Sequence, residues 1–134
     1  MVPHGVINYV LDGDQLVIAP SASAFHTIDV VASGNSPIWT PGVGKTIRLM
    51  GYSISVSGTC AALSSVLIQL RDGTTTPIKQ HRASVNTTIT GDTQIVVDLG
   101  TGELLTAPDN VLNLNLSVAL TAGGVSVNAW GTEE

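Results

Sequence analysis

Trp39–Ser57 reads WTPGVGKTIRLMGYSISVS, and two readings of its GVGKT centre lead to two different folds. A Walker A loop requires Gly-x-x-x-x-Gly-Lys-[Ser/Thr], with glycines that let backbone N–H groups wrap phosphates and a helix that starts at the lysine. Aligned on Gly44-Lys45-Thr46, the first glycine position holds Trp39, and Pro41 removes one backbone donor from the loop. Downstream, Thr46-Ile47-Arg48-Leu49-Met50 alternates with the two-residue period of a strand, where a phosphate loop needs a helical turn. The stretch predicts a Pro-Gly-x-Gly turn feeding the longest strand of the chain, Lys45–Ser57. Gly51 inside that run predicts a bulge or a close backbone approach, with the inward face changing register there. Gly51-Tyr52-Ser53-Ile54-Ser55 lacks the second glycine of a nucleophile elbow and its strand-to-helix setting, so it reads as ordinary strand.

The same period of two runs outward in both directions. Val6–Leu11 and Gln15–Ala19 flank Asp12-Gly13-Asp14, a hairpin signal. Pro20-Ser21-Ala22-Ser23 breaks the pattern, which sets residues 1–24 apart as an N-terminal arm or hairpin and 25–134 as the main domain. Phe25–Val31 resumes an extended run, Gly34-Asn35-Ser36-Pro37 is expected to turn it, and Ile38-Trp39-Thr40 is a short strand. Further strands are predicted over Ser65–Arg71, closed by an Asp72-Gly73 turn, and over Thr76–Arg82, Gln94–Leu99, Val111–Leu120 and Val125–Trp130. Leu112, Leu114 and Leu116 share one face while Asn113, Asn115 and Ser117 share the other. Val125, Val127 and Ala129 likewise oppose Ser126, Asn128 and Trp130, which leaves Trp130 as an aromatic ring on a polar face, better explained by a protein contact than by packing alone. No stretch offers a helix. About eight short strands in one domain of this length predict an all-β, jelly-roll-like antiparallel β-sandwich, with an immunoglobulin-like sandwich as the alternative.

Composition narrows the functional classes. The 134-residue chain carries a net charge of −5, and only 11% of its residues are charged against 43% apolar. An average soluble domain has roughly 25% charged residues, so Ser, Thr, Asn and Gly must cover this surface, and part of it is expected to be consumed by subunit contacts. The acidic balance argues against nucleic acid as a partner, because phosphate neutralisation needs a basic patch. No apolar run approaches the length of a membrane span and no signal-peptide pattern is present, so the chain is expected to be soluble and unprocessed. The single cysteine, Cys60, permits no intrachain disulfide and reads as a small apolar filler.

Chemical motifs are thin. His4, His26 and His81 show no ligand spacing, and Asp12-Gly13-Asp14 supplies too few oxygens for calcium, so neither a metal nor another cofactor is expected. Asp98 with Asp92 or Glu103 resembles a glycosidase pair only in residue type, since sequence does not set their separation. The Asn86-Thr87-Thr88 and Asn115-Leu116-Ser117 sequons have no secretion signal to make them useful. No catalytic residue is nominated.

The order of four segments, IWTPGVGKTIRLMGYSISVSG, LIQLRDGTTTP, DLGTGELLTAPDNVLNLNLS and VSVNAWGTEE, resembles small structural proteins of tailed bacteriophages, those found as capsid decoration or fibre-associated domains. The resemblance covers about Phe25–Glu134 and brings no catalytic residue with it. It implies a β-sandwich, commonly a homotrimer, made in the host cytoplasm and placed on the capsid surface of the virion as a decoration or cement protein. Its partners would be further copies of itself and the major capsid protein, with no nucleic acid and no membrane. The N-terminal arm would then reach a neighbouring subunit or the capsid. Trp39, Lys45, Arg48 and Trp130 are the expected interface residues; Lys45 and Arg48 are two of only five basic side chains and suit an acidic neighbour. One alternative is a tail, neck or fibre component. Another is a carbohydrate-binding module stacking sugar rings on Trp39, Trp130, Tyr9 or Tyr52.

Overall fold

A computed structural model describes residues 9–12, 15–18, 22–60, 64–85 and 91–134. The expected Gly13-Asp14 turn, the start of the first run at Val6, most of the break after Ala19 and the Asn86 sequon lie outside the described residues. Strands β1 (Tyr9–Asp12) and β2 (Gln15–Ile18) pair antiparallel as a separate two-stranded sheet. The remaining strands are β3 (Ala24–Val30), β4 (Gly34–Trp39), β5 (Ile47–Cys60), β6 (Ser64–Asp72), β7 (Thr76–Val85), β8 (Gly91–Leu104), β9 (Leu112–Leu116) and β10 (Leu120–Glu133). They form two four-stranded antiparallel sheets that pack as a sandwich, in the orders β3-β10-β5-β8 and β4-β9-β6-β7. No helix occurs among the described residues.

The topology is that of a folded ribbon. β6 and β7 make a hairpin through Gly73; behind it β5 pairs with β8, β4 with β9 and β3 with β10. Each strand crosses to the opposite sheet from the one before it, except at that hairpin. One long double ribbon is thus wrapped around a single core, which is a jelly roll. The wrap explains why strands distant in sequence become neighbours, β10 lying between β3 and β5.

The core consists of the inward half of each alternating run. Val66, Ile68 and Leu70 of β6, Leu112, Leu114 and Leu116 of β9, and Val125, Val127 and Ala129 of β10 are all buried. Burial of each large aliphatic side chain contributes roughly 1.5–3 kcal/mol, so these stripes fix which face of every strand points in. β5 follows the rule with one interruption. Ile47 and Leu49 face inward, then Tyr52, Ile54 and Val56 do, and the parity changes at Met50. There the pairing with β10 jumps from Leu49↔Gly131 to Gly51↔Trp130, leaving Met50 as a bulge, as Gly51 predicts. Cys60 is buried and its thiol donates to the Val85 carbonyl at 3.4 Å.

Three strand boundaries differ from expectation. Gly34–Pro37 is not the turn but the first part of β4, and the chain bends before it at Ala32-Ser33. Pro37 is tolerated because β4 is an edge strand, where a missing N–H breaks no ladder. The single run expected over Val111–Leu120 is split. β9 ends at Leu116, and Leu120 already begins β10, which passes through Gly123-Gly124: a side chain on Gly123 would strike the β5 backbone at Ser57-Gly58, and one on Gly124 would strike the Asp29 carboxylate of β3. β8 continues past Leu99 to Leu104, with Leu99–Gly102 opposite the Met50 bulge.

Candidate binding face

The outward residues of the β3-β10-β5-β8 sheet fall into cross-strand rows. The register aligns Asp29, Ser126, Ser55 and Gln94 in one row, Thr27, Asn128, Ser53 and Val96 in the next, and Phe25, Trp130, Gly51 and Asp98 in a third. Short hydroxyl and amide groups make the first two rows low in relief. The Thr27 hydroxyl donates to Asn128 Oδ1 at 2.6 Å, and Asn128 Nδ2 donates to Ser53 Oγ at 3.2 Å. The third row carries the aromatic surface: Phe25 is 72% exposed and Trp130 is half-buried. A Cβ on Gly51 would stand 2.5 Å from the Trp130 ring, so the absence of that atom lets the indole lie across the β5 backbone.

Of the four residues expected at an interface, Trp130 and Arg48 stand at outward positions of this sheet, Arg48 in register with Thr132 and Leu104. Trp39 does not, which corrects its assignment as a contact or sugar-stacking residue: its side chain is fully buried, the ring stacks on His26 with centroids 4.7 Å apart, and Nε1–H donates to Glu133 Oε1 at 2.8 Å. Tyr52 is likewise buried and offers no stacking surface, while the Tyr9 side chain lies outside the described residues. Arg48 is held by Glu134 through two contacts, Nε to Oε1 and Nη2 to Oε2, the latter at 3.2 Å. That pairing raises the Arg48 pKa and lowers that of Glu134. Lys45 is exposed in the loop that follows Trp39.

That loop is a tight turn, with Lys45 N–H donating to the Gly42 carbonyl at 2.9 Å and Gly44 at φ 75°, a conformation that glycine adopts without strain. Two more of its amides face carboxylates of the same chain. Gly42 N–H donates to Glu133 Oε2 at 3.1 Å and Gly44 N–H to Asp109 Oδ1 at 2.6 Å. Three of the donors that a phosphate loop would aim at a nucleotide, the amides of Gly42, Gly44 and Lys45, are occupied internally. Glu133 is held below the usual carboxylate range, first by the Trp39 indole N–H and then by the Gly42 amide.

A second polar cluster closes the side of the sandwich where β7 and β8, the edge strands of the two sheets, run near one another. The Tyr52 hydroxyl lies 2.6 Å from His81 Nε2, and Lys79 Nζ lies 2.6 Å from Glu103 Oε1. Burial pushes the Tyr52 phenol up, with the Glu103 charge adding to it, and pushes the His81 imidazole down. With both groups neutral they share one hydrogen bond, its direction set by the His81 tautomer. The pair holds the two sheets together from β5 to β7. Apolar groups along this margin are less completely covered. Ile95, Val97 and Leu99 are only partly buried, Val96 is 75% exposed and Leu104 is 48% exposed. Two shallow depressions lie there, one of about 160 Å³ lined by Pro77–Gln80 and one of about 250 Å³ lined by Ser53–Ser55 and Gln94–Val96.

The outer face of the other sheet is polar in a different manner. Asn35, Asn115, Gln69 and Gln80 form one row of carboxamides across all four strands. Arg71 ties the row together, donating to Gln69 Oε1 at 2.9 and 2.7 Å, to Asn35 Oδ1 at 3.3 Å and to the Thr74 carbonyl at 3.0 Å. Gln69 donates to Gln80 at 3.1 Å and Asn115 to Asn35 at 2.8 Å. Among the described residues no group of three or more His, Cys, Asp or Glu side chains is placed to hold a metal ion.

Sequence reasoning did not single out Phe25 or Glu133. Phe25 becomes notable only through its register with Trp130, and Glu133 only through the fold that returns β10 to Trp39. Fold and surface together place the chain in the class of jelly-roll β-sandwiches with a flat, weakly charged outer face. A scan against protein-family profiles, a search of curated proteins and a search of solved structures each return no match.

Proposed function

We propose that this chain is a non-catalytic structural subunit that self-associates through its β7/β8 margin and decorates a larger surface. The bacteriophage capsid is the surface suggested by the resemblance of its sequence. The observation that carries the reading is the incomplete cover on β8. This fourteen-residue edge strand presents half-covered Ile95, Val97 and Leu99 on its inner side and exposed Val96 and Leu104 on its outer side. A long edge strand with apolar flanks is a liability unless something covers it, and its one Asp on the exposed middle stretch, Asp98, is a sparse guard. A closed symmetric oligomer covers the same margin in every copy, and a trimer satisfies the implied stoichiometry.

Light scattering on the purified full chain tests the first half of this proposal. The expected mass is three times that of the 13.8 kDa chain, and Val96→Asp, which puts a charge at the centre of the margin, is expected to lower it to a monomer without changing the far-ultraviolet β signal. A wild-type monomer at micromolar concentration overturns self-association. The second half is tested by fractionating particles and locating the protein on the head, on the tail or on neither; head association supports decoration.

A further inference from the structure

We infer that the Phe25–Trp130 end of the β3-β10-β5-β8 face is a saccharide-binding site that takes an uncharged pyranose ring. The indole of Trp130 lies over Gly51, where even a methyl group would stand 2.5 Å from it. The Cε2, Cζ2 and Nε1 edge of the indole thus lies over Gly51, and the half-buried Trp130 keeps ring surface in contact with solvent, where a sugar ring could stack. The ring is not fixed there by polar contacts: among the described residues its Nε1–H has no hydrogen-bond partner, and it is not a buried unsatisfied donor. It is a donor left in contact with solvent beside an aromatic surface.

The rest of the row supplies the complementary groups. Phe25, the β3 partner of Trp130, extends the apolar shelf at 72% exposure. Asp98, the β8 partner of Gly51, is exposed, and only one of its oxygens is engaged, by Gly100 N–H at 2.8 Å. A carboxylate with a free oxygen accepts from hydroxyl groups, and an indole N–H donates to them. Aromatic rings with one apolar face and a polar edge are efficient anchors for ligands of that mixed character.

Charge selects among sugars. The outward face carries Asp29 and Asp98, while the cation nearest to Trp130 along β5, Arg48, is already neutralised by Glu134. An anionic saccharide would meet unbalanced carboxylates, so the site favours neutral rings. The aromatic part of the site is separate from the subunit margin, because Trp130 is on β10, an inner strand of the sheet, whereas Asp98 lies on β8 and borders the proposed β7/β8 margin.

The test is titration of the isotope-labelled full chain with uncharged oligosaccharides of glucose, galactose, mannose and N-acetylglucosamine, and with oligosialic acid as the anionic control. The indole N–H resonance of Trp130 reports the site, and that of buried Trp39 serves as the internal reference. At least one neutral oligomer is expected to shift Trp130 and leave Trp39 in place, with no shift from the anionic one. Trp130→Ala is expected to weaken binding by about tenfold or more, as for an aromatic anchor. Gly51→Ala keeps the indole but displaces it, and is expected to weaken binding as well, which separates ring posture from ring presence. No Trp130 shift from any neutral oligomer at millimolar concentration overturns the inference, and so does binding that survives Trp130→Ala. A Trp130→Ala variant that loses oligomer mass, in a protein that binds no saccharide, makes the ring a protein contact and overturns it too.

Discussion

The two outer faces of the sandwich use similar polar residues and spend their hydrogen bonds differently. On the β4-β9-β6-β7 face, four carboxamides and Arg71 are bonded to one another across every strand, and Gln69 within that network is only 8% exposed. On the β3-β10-β5-β8 face, the bonded chain is short, running from Thr27 to Asn128 to Ser53, and the row beside it holds exposed Phe25 and Asp98 and half-buried Trp130. The first face is closed on itself and serves the fold. The second keeps donors, acceptors and an aromatic shelf available to another molecule.

If this contrast holds, mutation should separate the faces cleanly. The largest effect is expected from Arg71→Ala, which leaves the nearly buried Gln69 oxygen without its donor; an unsatisfied buried acceptor costs about 1–3 kcal/mol, read as a lowered urea midpoint. Asn128→Ala on the open face removes two exposed hydrogen bonds and is expected to cost about 1 kcal/mol or less in the same assay. A larger loss there than for Arg71→Ala would reverse the assignment of the two faces. Lys45→Ala, in an exposed loop, is expected to stay within about 0.5 kcal/mol of the parent.

The clusters between the faces respond to pH with a defined sign. The folded His81 pKa is lowered from its ordinary value of 6.5, so the folded state disfavours the charged ring, and its contribution to stability, complete above pH 6.5, is lost as pH falls through the lowered value. Glu133 and Glu134, both held below 4.5, add a second loss at more acidic pH. Tyr52 acts at the other limit: its raised pKa means stability present below about pH 10 is lost as the pH climbs above it. Melting temperature across this range is expected to decline at both ends, and His81→Gln is expected to flatten the first acidic step while leaving the Glu133 and Glu134 step in place.

Much of this architecture was readable in the sequence because alternation is a local signal. Leu112, Leu114 and Leu116 declare their inward face without help from any other strand, and Gly51 marks the bulge through its own lack of a side chain. The GVGKT turn was readable for a similar reason, since Trp39 and Pro41 contradict a phosphate loop within a few residues. What escaped was set by pairing between distant segments. Gly34–Pro37 carries turn chemistry, yet becomes strand because the wrap places it at an edge, where proline is harmless. Trp39 looks like a surface tryptophan in a short polar segment, but Glu133, at the far end of the chain, returns to satisfy its indole and allows it to be buried. Phe25 and Trp130 form a shelf only once β3 and β10 are in register.

Met50 has a consequence for how the chain finds that register. It is one residue too many in β5 relative to β10, and the inward parity of β5 reverses there while that of β10 does not. Suppose β10 slides along β5 by two residues, the smallest slip that keeps its own apolar face inward. The half of β5 beyond Met50 would still match, but the stretch spanning the bulge would set inward residues against outward ones. A uniform ribbon tolerates such a slip at every position, whereas a ribbon with an extra residue at Met50, and a second irregularity between Leu120 and Ala122, brings both halves into agreement in one alignment. Met50 therefore works as an index mark, converting misalignments that would be nearly equal in energy into ones that expose apolar side chains and can anneal to the correct pairing.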